Sequence, residues 1–176
     1  TRYEFVTGVQ TCALPIFMGG SFHPMTDSRE FRHTPRREFN IRFDAEAAHA
    51  VIRASWSRVT CSPIDVSHHT RATPELFTRI ARADTPLARY LDRFGQRHRP
   101  MWDEVAAATW LDESLVTRFD DYFIDVNLHH GASYGDMLSW DPGHEPGQGE
   151  RRARIQKHLD DARFYEAFVA LCSVQP

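Results

Sequence analysis

The chain has 176 residues, 41% of them hydrophobic and 26% charged, enough for one soluble domain with a sizeable core or for part of a larger one. Its net charge of −3, with acids and bases interleaved, excludes a general pull toward nucleic acid or an anionic membrane. No apolar run reaches the ~18 residues of a membrane span. Cys12, Cys61 and Cys172 lie far apart and form neither a zinc-type spacing nor a disulfide framework, so reduced thiols and a cytoplasmic setting are expected.

The chain begins with "TRYEF" and then Val6–Ile16, "VTGVQTCALPI", a stretch with neither helical nor alternating apolar period. It does not read as a signal peptide, because Gly, Gln and Pro interrupt it and no clear cationic leader precedes it. Residues 19–35 are polar and rich in turn formers, and are expected to form a long loop. "DAEAAHAVIRAS" predicts a helix capped by Asp44, with Ala47, Ala48, Val51 and Ile52 on one face. "RVTCSPIDV" predicts a short strand ending near Asp65. Thr73-Pro74 and Thr85-Pro86 each place a capping residue before a first-turn proline and predict two further helices. Leu76, Phe77 and Ile80 mark the first; Leu87, Tyr90, Leu91 and Phe94 mark the second. "MWDEVAAATWLD" predicts a helix, "DYFIDVNL" a strand and "DPGHEPGQGE" a loop. Residues 150–172 predict one last helix with a broad apolar face. Strands alternating with helices argue for an α/β layered domain with a largely parallel sheet.

Candidate chemistry gathers at few positions. If the run around "REFN" is extended, Glu38 and Asn40 point to one side and Phe39 to the other. A carboxylate beside an amide suits sugar hydroxyls, since one accepts and the other both donates and accepts; the alternative is two solvated loop residues. Asp103 opens an apolar helix beside Trp102, where it either favours the helix dipole or serves as an oxygen ligand to a hard cation. A single Asp cannot supply the six to eight oxygens of Ca²⁺. His68-His69 and His129-His130 are adjacent pairs whose side chains diverge, and surface or loop positions are expected for them.

Six segments in order, "FMGGSF", "PRREFNIRFDAEAA", "VTCSPIDVS", "MWDEVAAATWLD", "YFIDVNLHHGASYGDMLSW" and "DARFYEAFVALC", resemble the C-terminal half of the inosine-uridine nucleoside hydrolase family. The resemblance implies the C-terminal part of a Rossmann-like open, mostly parallel sheet flanked by helices, formed by residues 17–176. It implies hydrolysis of the N-glycosidic bond of ribonucleosides by a water that Ca²⁺ activates, in a protein that is commonly a homo-oligomer. Carried over by position, Asp103 matches a metal aspartate, and Glu38 and Asn40 match the pair that holds ribose hydroxyls. Met18 and Phe39 match apolar residues lining the nucleoside pocket.

Three departures accompany this match. Trp102 stands at the catalytic position where the family often has a histidine that protonates the leaving base, and an indole cannot shuttle a proton. Arg32 stands where a second asparagine is usual. The aspartate cluster D-T-D-x-G-x-D-D, expected upstream of Met18, is not found in the chain. Val6–Ile16 also resembles the in-frame translation of a sequencing-library adapter, so residues 1–16 are expected to be an artefactual start. On that expectation the chain as written is an N-terminally truncated fragment, exposing strand edges and apolar helix faces, poorly soluble and without hydrolase activity. The alternative function is a catalytically inactive nucleoside- or ribose-binding protein on the same scaffold.

Overall fold

Five strands and seven α-helices are built from local signals that the chain carries plainly, and a computed structural model describes them over residues 15–22 and 38–174. In chain order they are β1 (Ile16–Met18), α1 (Phe39–Phe43), α2 (Ala45–Arg53), β2 (Thr60–Ser62), α3 (Ile64–Ser67), α4 (Pro74–Ala81), α5 (Pro86–Phe94) and α6 (Trp102–Leu111). A 3₁₀ turn (Glu113–Leu115), β3 (Val116–Val126), β4 (Met137–Trp140), β5 (Arg151–Leu159) and α7 (Asp161–Cys172) complete the list. The chain divides into two units: residues 1–66 with 118–157, and residues 67–117 with 158–176.

The first unit is built on the sheet, in the order β1-β2-β5-β3-β4. β1 runs parallel to β2 with Phe17 opposite Cys61, and β2 runs parallel to β5 with Cys61 opposite Ile155. β3 and β4 are antiparallel, with Ile124 opposite Ser139. The α/β class and the open sheet flanked by helices are as expected, and the antiparallel β3–β4 pair is an addition. Fully buried Cys61, Ile124, Met137 and Ile155 pack with Ile41, Ala45 and Ile52 of α1 and α2. β2 is buried at all three residues, as a strand flanked on both sides must be.

The second unit is helical. Thr73 accepts from Leu76 N at 3.2 Å and Thr85 from Ala88 N at 3.0 Å, with Pro74 and Pro86 in the first turns, so both predicted cap-proline starts are present. Its core joins Leu76, Phe77 and Ile80 of α4, Val105 of α6 and Phe164 of α7.

Four expectations are corrected. Residues 151–159 are strand β5, and the last helix starts only at Asp161, capped by Asp160 accepting from Arg163 N at 3.0 Å. The alternation of Arg152 and Arg154 with buried Ala153 and Ile155 has period two, which the helical assignment overlooked. The run after Glu38 is helical, so Glu38, Phe39 and Asn40 do not alternate across an extended strand. The strand at β2 stops at Ser62, because Pro63 leads into α3. On α2, Ala48 and Ile52 face the core as expected and buried Ala45 joins them, whereas Ala47 and Val51 are exposed.

Candidate functional site

β1 and β2 both end where a two-glycine turn begins. Gly19 N donates to Ser62 O at 3.2 Å, and Ile64 N donates to Gly20 O at 3.0 Å, fastening the turn to the carboxyl end of β2. Gly20 has φ +78°, and a Cβ there would meet Met137 Cγ at 3.1 Å, so left-handed backbone and close approach both require glycine.

Glu38 reaches this turn from the start of α1. Its carboxylate accepts Gly20 N at 3.0 Å, Asn40 N at 3.0 Å and Ile41 N at 3.2 Å, and the residue is only 3% exposed. It is therefore an N-cap that also ties α1 to the turn. Three of the roughly four lone-pair directions of the carboxylate are taken among the described residues. Asn40 is exposed, and its Nδ2 donates toward Met18 O and Met18 Sδ, each at 3.3 Å. Met18, Glu38 and Asn40 thus meet at the carboxyl ends of parallel strands, where open α/β sheets bind their ligands. Phe39 is 69% exposed and packs on Phe43, with ring centroids 5.6 Å apart.

A second carboxylate, which inspection of the sequence did not single out, flanks the same turn. Asp65 accepts from Ser21 Oγ at 3.0 Å and from Phe22 N at 2.7 Å. Burial, aided by the negative charges of Asp65 and Glu38, pushes the Cys61 thiol well up, so Cys61 is not a nucleophile at neutral pH. The available signal was positional: Asp65 follows a strand end by three residues. Ser62 is fully buried and its Oγ has no hydrogen-bond partner among the described residues.

The other candidates lie in the second unit, at the head of α6. Trp102 is half-buried, Asp103 and Glu104 are exposed in the first turn, and Met101 supplies no side-chain cap. Two carboxylates in the first turn complement the helix dipole. The Arg99 guanidinium sits 6.0 Å from the centroid of the Trp102 ring. A cavity of about 420 Å³ opens beside them, lined by Leu76, Phe77, Leu91, Met101 and Phe168 together with Gln96, Arg99, Trp102, Asp103 and Glu104.

Calcium finds little here. Among the described residues no three His, Cys, Asp or Glu side chains converge on one point, and Asp103 alone does not make a Ca²⁺ site. The histidine pairs occupy turn and loop positions as expected, but His68 and His69 do not diverge: their ring centroids lie 3.6 Å apart, while His130 stacks on Tyr134 at 5.5 Å. Residues 6–14 and Arg32 lie outside the described residues. Ile16, inside the adapter-like stretch, opens β1 opposite Thr60. No described helix is long and apolar enough to cross a membrane.

Two anchored carboxylates and an exposed amide gather at the carboxyl ends of parallel strands in an α/β fold. The family follows from comparison with known proteins. A family model for inosine-uridine preferring nucleoside hydrolases matches residues 9–166, and the chain belongs to that family. The chain is 40% identical over 114 residues to an inosine-uridine preferring nucleoside hydrolase of Crithidia fasciculata, covering 58% of this chain and 34% of the relative. It is 28% identical over 135 residues to a Leishmania major protein of the same description, covering 68% of this chain and 39% of the relative. The fold matches a solved inosine-guanosine nucleoside hydrolase with TM-score 0.75 at 16% identity, covering 99% of this chain and 57% of that one. The chain therefore spans between about a third and two fifths of the length of these curated relatives.

Proposed function

We propose that the chain carries the ribose-binding edge and the helix head of a nucleoside N-ribohydrolase, which cleaves the N-glycosidic bond of ribonucleosides to ribose and free base. The observation that carries this reading is the turn after β1, where Glu38 and Asp65 are anchored on either side of Gly20-Ser21 and Asn40 stands exposed beside Met18. Glycosidic cleavage passes through an oxocarbenium-like transition state, and carboxylates fixed nearby stabilise its developing positive charge. An acceptor of Glu38 not used among the described residues and the amide oxygen of exposed Asn40 suit ribose hydroxyls, while Met18 and Phe39 offer apolar contact to the nucleoside.

Asp103 offers one oxygen to the calcium ion that the family resemblance implies. The described residues do not complete the ion's shell, so hydrolysis by the 176-residue chain alone is not expected. Trp102 meets the leaving base as a stacking or hydrogen-bonding group, since it has no titratable proton to give. Buried, unpaired Cys61 and Cys172 support a cytoplasmic setting, and the mixed surface charge supports no nucleic-acid or membrane partner. Exposed Leu87, Tyr90 and Phe94 on α5 give apolar surface to the homo-oligomer of the intact protein.

The test is a chimera in which residues 17–174 replace the matching segment of the Crithidia fasciculata relative, assayed for reducing sugar released from inosine. Ribose release that disappears with Asp103→Ala supports the reading. A folded chimera that binds inosine without cleaving it favours the inactive binding protein instead.

A further inference from the structure

Residues 61–65 grip the turn at residues 19–22 along its whole length. Cys61 Sγ donates to Gly19 O at 3.2 Å, Gly19 N donates to Ser62 O at 3.2 Å, and Ile64 N donates to Gly20 O at 3.0 Å. Asp65 completes the grip. Its Oδ1 accepts from Ser21 Oγ at 3.0 Å and its Oδ2 from Phe22 N at 2.7 Å, and both Ser21 and Phe22 are buried. All of these residues, with Met18, Glu38 and Asn40, belong to the first unit.

The turn does not hold its own shape. Gly19 and Gly20 have φ +150° and +78°, and two consecutive glycines impose little conformational preference. Glu38 hangs on the second glycine through Gly20 N at 3.0 Å, and Asn40 on the residue before them through Met18 O at 3.3 Å. Whatever fixes the far side of the two glycines therefore fixes the direction of Glu38. Asp65 is that group, and with each of its oxygens engaged by the turn it acts through Gly20 and not on a ligand. We propose that Asp65 is a positioning residue for ribose recognition, holding residues 19–22 so that Glu38 and Asn40 meet the sugar hydroxyls at one fixed spacing. This deepens the nucleoside reading above and rests on it.

The test uses the chimera with inosine and its 2′-, 3′- and 5′-deoxy analogues, each lacking one ribose hydroxyl. Discrimination is the ratio of kcat/KM for inosine to that for an analogue, with Kd in place of kcat/KM if the chimera binds without cleaving. The parent disfavours the analogue that lacks a held hydroxyl, and Asp65→Ala lowers this discrimination about tenfold by freeing the turn. Asp65→Asn restores it, because its carbonyl oxygen accepts from Phe22 N while its NH₂ donates to Ser21 Oγ. Ser21→Ala removes one of the two contacts, lowers discrimination about threefold, and serves if Asp65→Ala does not fold. A merely structural Asp65 gives a different pattern, a lower urea midpoint with discrimination unchanged in the folded variants, and that result overturns the proposal. So does an Asp65→Asn variant as indiscriminate as Asp65→Ala, or a parent that disfavours none of the analogues. The two readings fail separately: inosine cleavage with discrimination untouched by Asp65→Ala sinks only the role of Asp65. Binding without cleavage sinks only the hydrolase, and a folded chimera that neither binds nor cleaves inosine sinks both.

Discussion

Replacing Glu38 with alanine removes the acceptor for three backbone N–H groups at once. Gly20 N and Ile41 N form buried hydrogen bonds with this carboxylate, and Asn40 N forms a partly buried one. A buried donor left without an acceptor costs about 1–3 kcal/mol, and the Asn40 amide can recover part of its loss from water. Loss of the α1 cap overlaps with the Ile41 term rather than adding to it. The expected destabilisation is therefore about 3–5 kcal/mol, large for one substitution. Glu38→Gln separates geometry from charge. Its carbonyl oxygen can take the place of Oε2 and keep both Gly20 N and Ile41 N, leaving its NH₂ against Asn40 N, so a cost of about 1–3 kcal/mol is expected. Urea unfolding followed by far-UV circular dichroism, with the slope compared between variants, reads both values. An alanine variant within about 1 kcal/mol of the parent, or a glutamine variant as damaged as alanine, refutes the assignment of Glu38 as the fastener of this turn.

Gly95→Ala places a Cβ 2.1 Å from Phe77 Cε1 and 2.4 Å from the backbone Leu91 O, which cannot move aside, so a loss of about 2–3 kcal/mol and a fall in Tm of about 5–10 °C are expected by differential scanning fluorimetry. Thr85→Val removes the acceptor for Ala88 N and the donor to Cys172 O, and should cost about 1–3 kcal/mol, whereas Thr85→Ser should restore most of it in the same unfolding assay. Burial pushes the Asp125 carboxyl up, but hydrogen bonds from Arg53 and Val126 N and the nearby His49 more than reverse this, so its pKa lies below the ordinary value. A depressed folded pKa gives stability that is full above the unfolded value of ~3.9 and is lost as pH falls through the folded one. Urea midpoints should therefore decline below about pH 4 in the parent, and Asp125→Asn should lower the neutral midpoint and flatten that acid limb.

Local codes were legible wherever a short-range signal is strong. Thr73-Pro74, Thr85-Pro86 and Asp44 each combine a capping oxygen with a favourable first turn, and helices start where these residues say. From Arg151 to Leu159 the sequence resembles a helix because its arginines hide the inward alternation of Ala153 and Ile155 in a run that continues into α7. The helix that holds Phe39 and Asn40 is hidden for a related reason: five residues are too few to show a period, and only the capping bonds of Glu38 reveal it.

By itself the sequence determined the α/β class, the caps, the family and the short list of polar residues, because each is written in local pattern or in ordered motifs. Tertiary structure alone decided that Glu38 bonds to Gly20 across eighteen positions, that Asp65 joins the same turn, and that Trp102 borders a cavity with no partner for its N–H among the described residues. Those facts depend on where distant segments come to rest once their apolar faces are buried, and that placement is a property of the packed core, which no short window of residues encodes.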